Sequence, residues 1–376
     1  MKLFRILAVL VAMLMFIAAC TGPGDEPEDT EPAATEAAET DPAETDAAAT
    51  EEPGDTAVCA PGEASGTGEA PAELVIGFVP SREADALVET IQPVADHLSE
   101  ALGIPVTGVV TSDYTGLVTA MESDQAHIGA FGPFSLLQAC QRADAEIVLQ
   151  SERFGSATYH TQFMTNDPDT YCTDEPVGVE VETDVGPVEL LYCNGTDRPA
   201  GEIVEGPMAL DQVSQIPAGT SFSFVEQASA SGYVFPATIL NNQGIDYEEG
   251  IDPIFAGAHD ASAIAVCDGT ATVGVSFDDA RPDAIEATPE GGCDIASEVV
   301  VFALGPEIPN DGWAVAGYLP QDLKDGIEQA LLDYAASEEG QEVLSSIYNI
   351  DNLVPADLEA FGIVQDAAEE LGIESD

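Results

Sequence analysis

The chain has 376 residues, with 70 Asp or Glu against 8 Lys or Arg and a formal net charge of −62 at pH 7. This balance excludes ordinary nucleic-acid binding, which needs basic surface to neutralise phosphates. The acidic excess is most simply a solvation feature, in which salt would soften the self-repulsion.

The first twenty residues have the pattern of an export signal. A basic start with Lys2 and Arg5 precedes an uncharged apolar run, which ends at Cys20 in an Ile-Ala-Ala-Cys motif of lipobox type. The run is too short to span a bilayer comfortably, so we expect residues 1–19 to be removed. Acylation of Cys20 would then anchor the chain to the outer face of the membrane. The alternative is an ordinary cleaved signal with an incidental cysteine.

Residues 20–72 are almost entirely Thr, Ala, Glu, Asp, Pro and Gly, and they hold 15 of the 70 acids. Such a segment cannot bury enough apolar surface to offset chain entropy, so it is predicted to be an acidic disordered tether. About 300 residues remain, which suits two lobes better than one large domain.

Six cysteines follow Cys20, and an even number in an exported chain indicates disulfides rather than catalysis. No C-x-x-C spacing is present, so we expect no zinc or other metal site. Proximity in sequence favours the pairs Cys172–Cys193 and Cys267–Cys293. The remaining pair, Cys59–Cys140, would join the end of the tether to the domain. Other pairings stay open.

Apolar runs of strand type alternate with segments of helical periodicity. In the first part we predict strands at 74–79, 104–110 and 127–131 and helices at 82–102, 114–122 and 133–142. After residue 220 we predict strands at 221–225, 254–256, 272–277 and 299–303 and helices at 231–242, 260–267, 320–337, 339–348 and 355–371. A Cys-bounded insertion at 171–205 interrupts this rhythm and is predicted to be a disulfide-stapled surface hairpin.

Strand–helix–strand units of this length predict an α/β fold in which each sheet is mostly parallel and flanked by helices. Two such lobes, joined by crossing strands with a cleft between them, are the economical arrangement. We expect lobe I to comprise 73–160 and 309–376, and lobe II to comprise 161–308.

Several blocks, in order and at sensible spacing, resemble one family. They are IGFVPS at 76–81, DYTG at 113–116, IGAFGPFS at 128–135, SASGY at 229–233, GAHD at 257–260, FDDAR at 277–281 and GPEIPND at 305–311. Over about 74–350 the chain resembles the phosphate/phosphite/phosphonate-binding proteins of ABC importers. The resemblance implies a two-lobed periplasmic-binding-protein fold of type II that closes on its ligand by hinge motion.

Ser229, Ser231 and Gly232 lie between a predicted strand and the first turn of a helix. There, free backbone N–H groups and the helix dipole favour an anion, although an ordinary N-cap serine is the alternative. The resemblance implies that the hydroxyls bind phosphonate oxygens. The family commonly reads Ser-Thr-Ser here, so Ala230 removes one hydroxyl donor, and such a bond to a charged group is worth about 1.5–3 kcal/mol.

The resemblance also implies that the hydroxyls of Tyr114 and Tyr159 reach the cleft from the first lobe. Either tyrosine could instead be a core aromatic with its hydroxyl at the rim. His160 has no role in the resemblance and is expected at the surface.

His259 falls where the family has a cleft histidine that donates to the oxyanion, and in cationic form it would be the site's only full positive charge. Asp279 and Asp311 match family positions with cleft carboxylates, which could accept from a protonated P–OH or pair with the ammonium of an aminoalkyl phosphonate. For any aspartate in so acidic a chain, simple solvation is the alternative.

The resemblance implies an extracytoplasmic solute-binding lipoprotein that captures phosphonate or phosphite for an ABC permease and its ATPase. We expect a monomer without a cofactor, and Arg142 or Lys324 on the surface as candidates for docking. No catalytic motif of the G-x-S-x-G, H-E-x-x-H or phosphate-loop type is present, which argues against an enzyme. A sensory binding protein and a secreted hydrolase are the alternatives, and the ligand stays open among phosphite, phosphate and phosphonates.

Overall fold

The computed structural model describes Cys59 and residues 65–82, 84–183, 185–198, 206–289 and 291–373. The expected signal segment, Cys20 and most of the expected tether lie outside the described residues. Within the described part, no helix has the length and apolar character that a bilayer span requires.

The strands of the described chain form two sheets. They are β1 Leu74–Phe78, β2 Val106–Val110, β3 Ile128–Phe131, β4 Ala145–Glu152, β5 Thr158–Thr165, β6 Val177–Val181, β7 Val188–Tyr192, β8 Ser221–Phe224, β9 Asp252–Phe255, β10 Val273–Phe277, β11 Val300–Pro309, β12 Gly312–Ala316 and β13 Asn352–Pro355. The first sheet has the order β13-β4-β12-β3-β1-β2, and the second has the order β6-β7-β11-β5-β10-β8-β9.

Helices cover the sheets. They are α1 Ala84–Leu102, α2 Tyr114–Glu122, α3 Pro133–Ala143, α4 Pro168–Tyr171, α5 Phe235–Asn242, α6 His259–Cys267, α7 Arg281–Ala287, α8 Ile295–Glu298, α9 Gln321–Ala335, α10 Glu338–Tyr348 and α11 Gly362–Glu370, with a π-helical turn at Ala230–Val234 and 3₁₀ turns at Leu210–Gln215 and Glu359–Phe361. The expected helix over 355–371 is wrong at its start, because Pro355 ends β13 and α11 begins at Gly362.

Both sheets are mixed, which corrects the expectation of mostly parallel sheets. In the first sheet β1 pairs in parallel with β2 and β3, whereas β3–β12, β12–β4 and β4–β13 are antiparallel. In the second, β8–β9, β8–β10 and β7–β11 are parallel, and β5 runs antiparallel to both β10 and β11. The parallel strands nevertheless place several carboxyl ends at one edge of each sheet, where ligands of open α/β sheets bind.

Burial follows the apolar periodicity. In α1, Leu87, Ile91, Val94 and Leu98 are all at most 2% exposed and face the first sheet. Such a stripe, recurring at three- and four-residue steps, stabilises the helix through tertiary packing. A smaller cluster, including Met164 on β5, lies on one side of the second sheet.

Two chain segments cross between the sheets, one after β4 and one between β11 and β12. These crossing segments are joined to each other by hydrogen bonds. The buried Asn310 donates from its Nδ2 to Ser156 O over 2.8 Å and from its backbone to Ala157 O over 2.8 Å. These two bonds join the crossings, while Gln150 Nε2 on β4 donates to Ala157 O over 3.0 Å and holds the first crossing against the first sheet.

Three disulfides are present in the predicted pairing: Cys59–Cys140, Cys172–Cys193 and Cys267–Cys293. The predicted hairpin in the Cys-bounded insertion is also present as the antiparallel pair β6–β7. It is more than a surface appendage, because β7 pairs with β11 and so extends the second sheet.

Each of the six basic residues after Cys20 forms an ion pair with a carboxylate. Lys324 is 2% exposed and donates to Glu146, so its expected surface position is wrong. Arg142 is partly exposed and pairs with Glu122 on the neighbouring α2.

Candidate ligand-binding site

A cavity of about 450 Å³ lies between the edges of the two sheets. Val79 and Pro133 follow β1 and β3 in the first sheet, while Phe277 ends β10 in the second. Of the eight residues that the sequence assigns to ligand binding, seven line this cavity: Tyr114, Tyr159, Ser229, Ser231, His259, Asp279 and Asp311.

Gly232, the eighth, shapes the wall without lining it. A Cβ at this position would lie 2.4 Å from the Cβ of Val225, which is closer than real contacts allow. The backbone N–H of Gly232 donates to Ser229 Oγ over 3.1 Å, and its carbonyl accepts from Val225 N over 3.0 Å. Glycine therefore lets the turn pack against the end of β8.

The wall formed by Ser229 to Ser231 opens a helical stretch. Ser229 has extended backbone angles and caps the π turn, which continues into α5. Thr161 on β5 fixes the turn, because its hydroxyl donates to Ser231 O over 2.6 Å. The first N–H groups of a helix have no intrahelical partner, so this turn offers donors and a positive dipole end to an anion.

His259 orients the hydroxyl of Ser229. Its Nδ1 accepts from the backbone N–H of Phe277 over 3.1 Å, and its Nε2 lies 3.3 Å from Ser229 Oγ. Since Nδ1 accepts, the proton of a neutral ring is on Nε2, which donates to Ser229. With Gly232 donating as well, the oxygen of Ser229 accepts twice, and its own proton is left to donate into the cavity.

Burial, reinforced by the charge of Arg153, lowers the pKa of His259 from 6.5 to about 3. The ring is therefore neutral near pH 7, and the expectation that it could supply a positive charge is wrong. Its contribution is a fixed N–H donor, set by the backbone of β10.

Tyrosine hydroxyls face this wall. Tyr114 begins α2 behind the N-cap Asp113 and is 2% exposed. Burial raises its pKa well above 10.0, so it remains a hydrogen-bond donor. Tyr159 is hydrogen-bonded to the side chain of Ser231, and burial likewise raises its pKa.

Tyr159 lies on β5, which belongs to the second sheet, so its expected origin in the first lobe is wrong. His160, the next residue, is 0% exposed and its Nδ1 contacts Gly305 O at 2.8 Å. Its expected surface position is therefore also wrong. Neighbouring residues of a strand point to opposite faces of the sheet, and here both faces are covered.

The two predicted cleft carboxylates line the cavity but are already paired. Asp279 accepts from Arg281, from the Tyr192 hydroxyl over 2.8 Å and from Gln162 Nε2 over 3.0 Å. Burial raises the pKa of Asp279, but the charge and hydrogen bonds of Arg281 outweigh burial and hold it below 3.8. Asp311 pairs with Arg153. Each of the two carboxylates thus already has a cationic partner within the protein.

Three arginines line the cavity that sequence reasoning left out: Arg82, Arg153 and Arg198. Each pairs with an aspartate, which is Asp283, Asp311 and Asp278, respectively. The expectation that a cationic His259 would be the site's only full positive charge is thus corrected. The rarity of basic residues was the available signal for these arginines, since the chain has only 8 Lys or Arg among 376 residues.

Among the described residues, no group of three or more His, Cys, Asp or Glu is placed to hold a metal ion. The described geometry is a cavity between two α/β lobes, with fixed uncharged donors at a helix start and arginine–aspartate pairs elsewhere around it. This combination defines a two-lobed solute-binding protein of type II periplasmic architecture.

Comparison with known proteins specifies the family. Residues 76–361 match the family described as ABC transporter, phosphonate, periplasmic substrate-binding protein. The chain therefore belongs to this family of extracytoplasmic binding proteins, which is not a family of enzymes.

Individual relatives are distant. The phosphate-import protein PhnD of Mycolicibacterium smegmatis is 25% identical over 215 residues, which are 55% of this chain and 56% of that protein. The alignment thus spans little more than half of that relative's length.

Two solved structures share the fold. A binding protein component of an ABC phosphonate transporter from Pseudomonas aeruginosa has a TM-score of 0.62 at 17% identity, covering 79% of this chain and 86% of its own. PhnD1 from Prochlorococcus marinus, solved with methylphosphonate, has a TM-score of 0.63 at 16% identity, covering 81% of this chain and 100% of its own.

Proposed function

We propose that this chain is the lipid-anchored solute-binding component of an ABC importer and that it captures phosphonate or phosphite in the cavity between its lobes. The anion would be held by Ser229, Ser231 and the N–H groups of their turn, with Tyr114 and Tyr159 completing the site. Closure of the lobes would prepare the protein to dock on its permease, where opening releases the solute.

The orientation of Ser229 carries this proposal. Its oxygen accepts from the N–H of Gly232 and from Nε2 of His259, both fixed by backbone contacts. A hydroxyl placed in this way loses little freedom when it donates to an oxyanion, and preorganised donors are the favourable kind. The wall carries no charge that neighbouring carboxylates would neutralise.

The proposed ligand class is tested by titration calorimetry of the purified chain with phosphite, methylphosphonate, 2-aminoethylphosphonate and phosphate. We expect binding of at least one of the first three to be tighter than that of phosphate. Replacing Ser231, which is 1% exposed, with leucine should abolish this binding while circular dichroism stays unchanged. Ser297→Leu, at an exposed position in the same lobe, is the control. Full affinity in Ser231→Leu would refute the proposed site.

The anchor is supported by the sequence around Cys20 and needs its own test. In a bacterial host, metabolic labelling with a clickable fatty acid should mark the native chain but not Cys20→Ala, and the variant should appear in the soluble fraction. Labelling that persists in Cys20→Ala would rule out lipidation at this residue.

A further inference from the structure

The hairpin between Cys172 and Cys193 forms part of the cavity wall. Val181, at the end of β6, and Tyr192, at the end of β7, both line the cavity. Because the hairpin is held by a disulfide and by pairing of β7 with β11, its position relative to the second sheet is fixed.

The segment that follows the hairpin is equally well held. The buried hydroxyl of Thr196 lies 2.8 Å from Cys193 O and 3.0 Å from Val301 O. Asn194 Nδ2 donates to Tyr171 O over 2.9 Å and to Phe302 O over 3.0 Å. These hydrogen bonds hold the segment that directly precedes Arg198, the next basic residue in the chain.

Arg198 lines the cavity and is 8% exposed. Its Nη2 donates to Asp278 Oδ2 over 2.6 Å, while the other oxygen of Asp278 accepts from His160 N over 2.7 Å. Its Nη1 is buried and has no hydrogen-bond partner within the described part of the chain. Buried donors are nearly always paired in native proteins, so a buried donor without a partner, on a residue that lines a cavity, points to a ligand group.

The volume of the cavity is larger than that of a one-carbon phosphonate. At about 30 Å³ per water-sized atom, the five heavy atoms of methylphosphonate fill on the order of 150 Å³. The cavity measures about 450 Å³, so a ligand bound at Ser229 and Ser231 leaves room for a substituent.

Beside that room, Nη1 of Arg198 has no partner among the described residues, which favours a substituent that accepts hydrogen bonds. The carboxylates of Asp279 and Asp311 are each paired with an arginine. Glu180 and Glu182 also line the cavity, but both are exposed, where water and salt weaken their repulsion of an anion. The open donor of Arg198 is buried, and a guanidinium N–H binds a carboxylate strongly under those conditions.

Resting on the proposed function, we infer that Arg198 is a specificity-determining ligand contact and that the ligand is a phosphonate carrying a carboxylate on its substituent. The phosphonate binds to the wall formed by residues 229–231 at the start of the helical stretch, the helix-start wall. The carboxylate accepts from Nη1 of Arg198. The disulfide-held hairpin thereby adds a second anion contact to the cavity.

The test is calorimetry of the full chain with phosphonoacetate, methylphosphonate and 2-aminoethylphosphonate. We expect phosphonoacetate to bind about 10- to 100-fold more tightly than either of the others. In Arg198→Met that ratio should fall towards one. Since this change leaves Asp278 buried without its partner, Arg198→Met/Asp278→Asn is measured in parallel, and Arg142→Met is the matched control.

The outcomes separate the two proposals. If methylphosphonate binds and phosphonoacetate binds no better, the carboxylate contact is refuted while the proposed function stands. Tighter binding of 2-aminoethylphosphonate than of phosphonoacetate refutes it as well. If the preference for phosphonoacetate survives in the folded double variant, Arg198 is not its cause. If no phosphonate or phosphite binds, the proposed function fails, and this inference fails with it.

Discussion

The walls of the cavity use different chemistry. At the helix start, Ser229, Ser231 and His259 offer uncharged donors held by the backbone. On the side of the crossings and the hairpin, Arg153 and Arg198 are positively charged, but each is paired with an aspartate. In a chain with 70 acids and 8 bases, a lone arginine would be drawn to the nearest carboxylate, whereas a serine hydroxyl has no net charge to lose.

The comparison explains how so acidic a protein could hold an anion. Dipoles and hydrogen bonds attract the anion at short range. The surrounding negative charge repels it only weakly, because salt screens that charge. The arginine pairs stabilise the walls and, in the case of Arg198, leave one donor free. Under the proposed function, we expect the helix-start wall to govern affinity and the arginine–aspartate pairs to govern stability and selectivity.

The largest effect on stability is expected at the arginine–aspartate pairs. Asp279→Asn should lower the free energy of unfolding by about 3–5 kcal/mol, because it leaves Arg281 buried without a counter-charge. Urea denaturation measures this change, with the exposed Asp252→Asn as the control. A stable variant with lost phosphonate affinity would show instead that Asp279 contacts the ligand, and the division between the walls would fail.

On the helix-start wall, Ser231→Ala should weaken phosphonate binding by about 1.5–3 kcal/mol, as expected for one hydrogen bond to a charged group. The loss should be similar at low and high ionic strength, since the donor is uncharged. Calorimetry at two salt concentrations checks both statements, with Ser297→Ala as the control. A loss that disappears in high salt would contradict the assignment of an uncharged donor.

The neutral state of His259 predicts a pH effect on stability. In the folded chain the pKa of His259 is about 3, against 6.5 for an ordinary histidine. Between these values the unfolded chain binds the proton more readily, so acid lowers stability. From about pH 7.5 to about pH 5, the native chain should lose about 2 kcal/mol more than His259→Gln.

Urea denaturation at the two pH values gives this difference. Equal losses in the two proteins would mean that His259 titrates normally and is not locked as a neutral donor.

The smallest effect concerns the missing hydroxyl. Ala230 is 1% exposed and lines the cavity. Ala230→Thr should therefore restore a donor and tighten phosphonate binding by about 1 kcal/mol. Ala230→Val, which has the same shape without the hydroxyl, should give no gain. Equal affinities for the two variants would show that the hydroxyl does not reach the ligand.

The local pattern predicted the helix start after Ser229, and the family resemblance singled out its serines and His259 as ligand contacts. A serine between a strand and a helix is a short-range signal, and the structure brings Ser229 and Ser231 to the cavity with His259, 30 positions from Ser229. The arginine pairs carry no such signal. Arg153 and Asp311 are 158 positions apart, and Arg198 and Asp278 are 80 apart, so only the fold brings them together.

The fold was predictable in class but not in strand direction. The strands β4, β5, β12 and β13 were not recognised, and all four run antiparallel to their neighbours. Their sequences are strand-like, yet the direction of a strand depends on the connection that returns the chain to the sheet. The same omission placed Tyr159 in the wrong lobe, since its strand begins at Thr158.

The bond network around Asn310 limits how the lobes can move. Because Asn310 donates to Ser156 and to Ala157, the two crossings are tied to each other. We therefore expect the lobes to rotate about one axis through the crossings, because shear or twist would break these buried hydrogen bonds. A single distance between fluorophores on the two lobes would consequently report the whole opening coordinate.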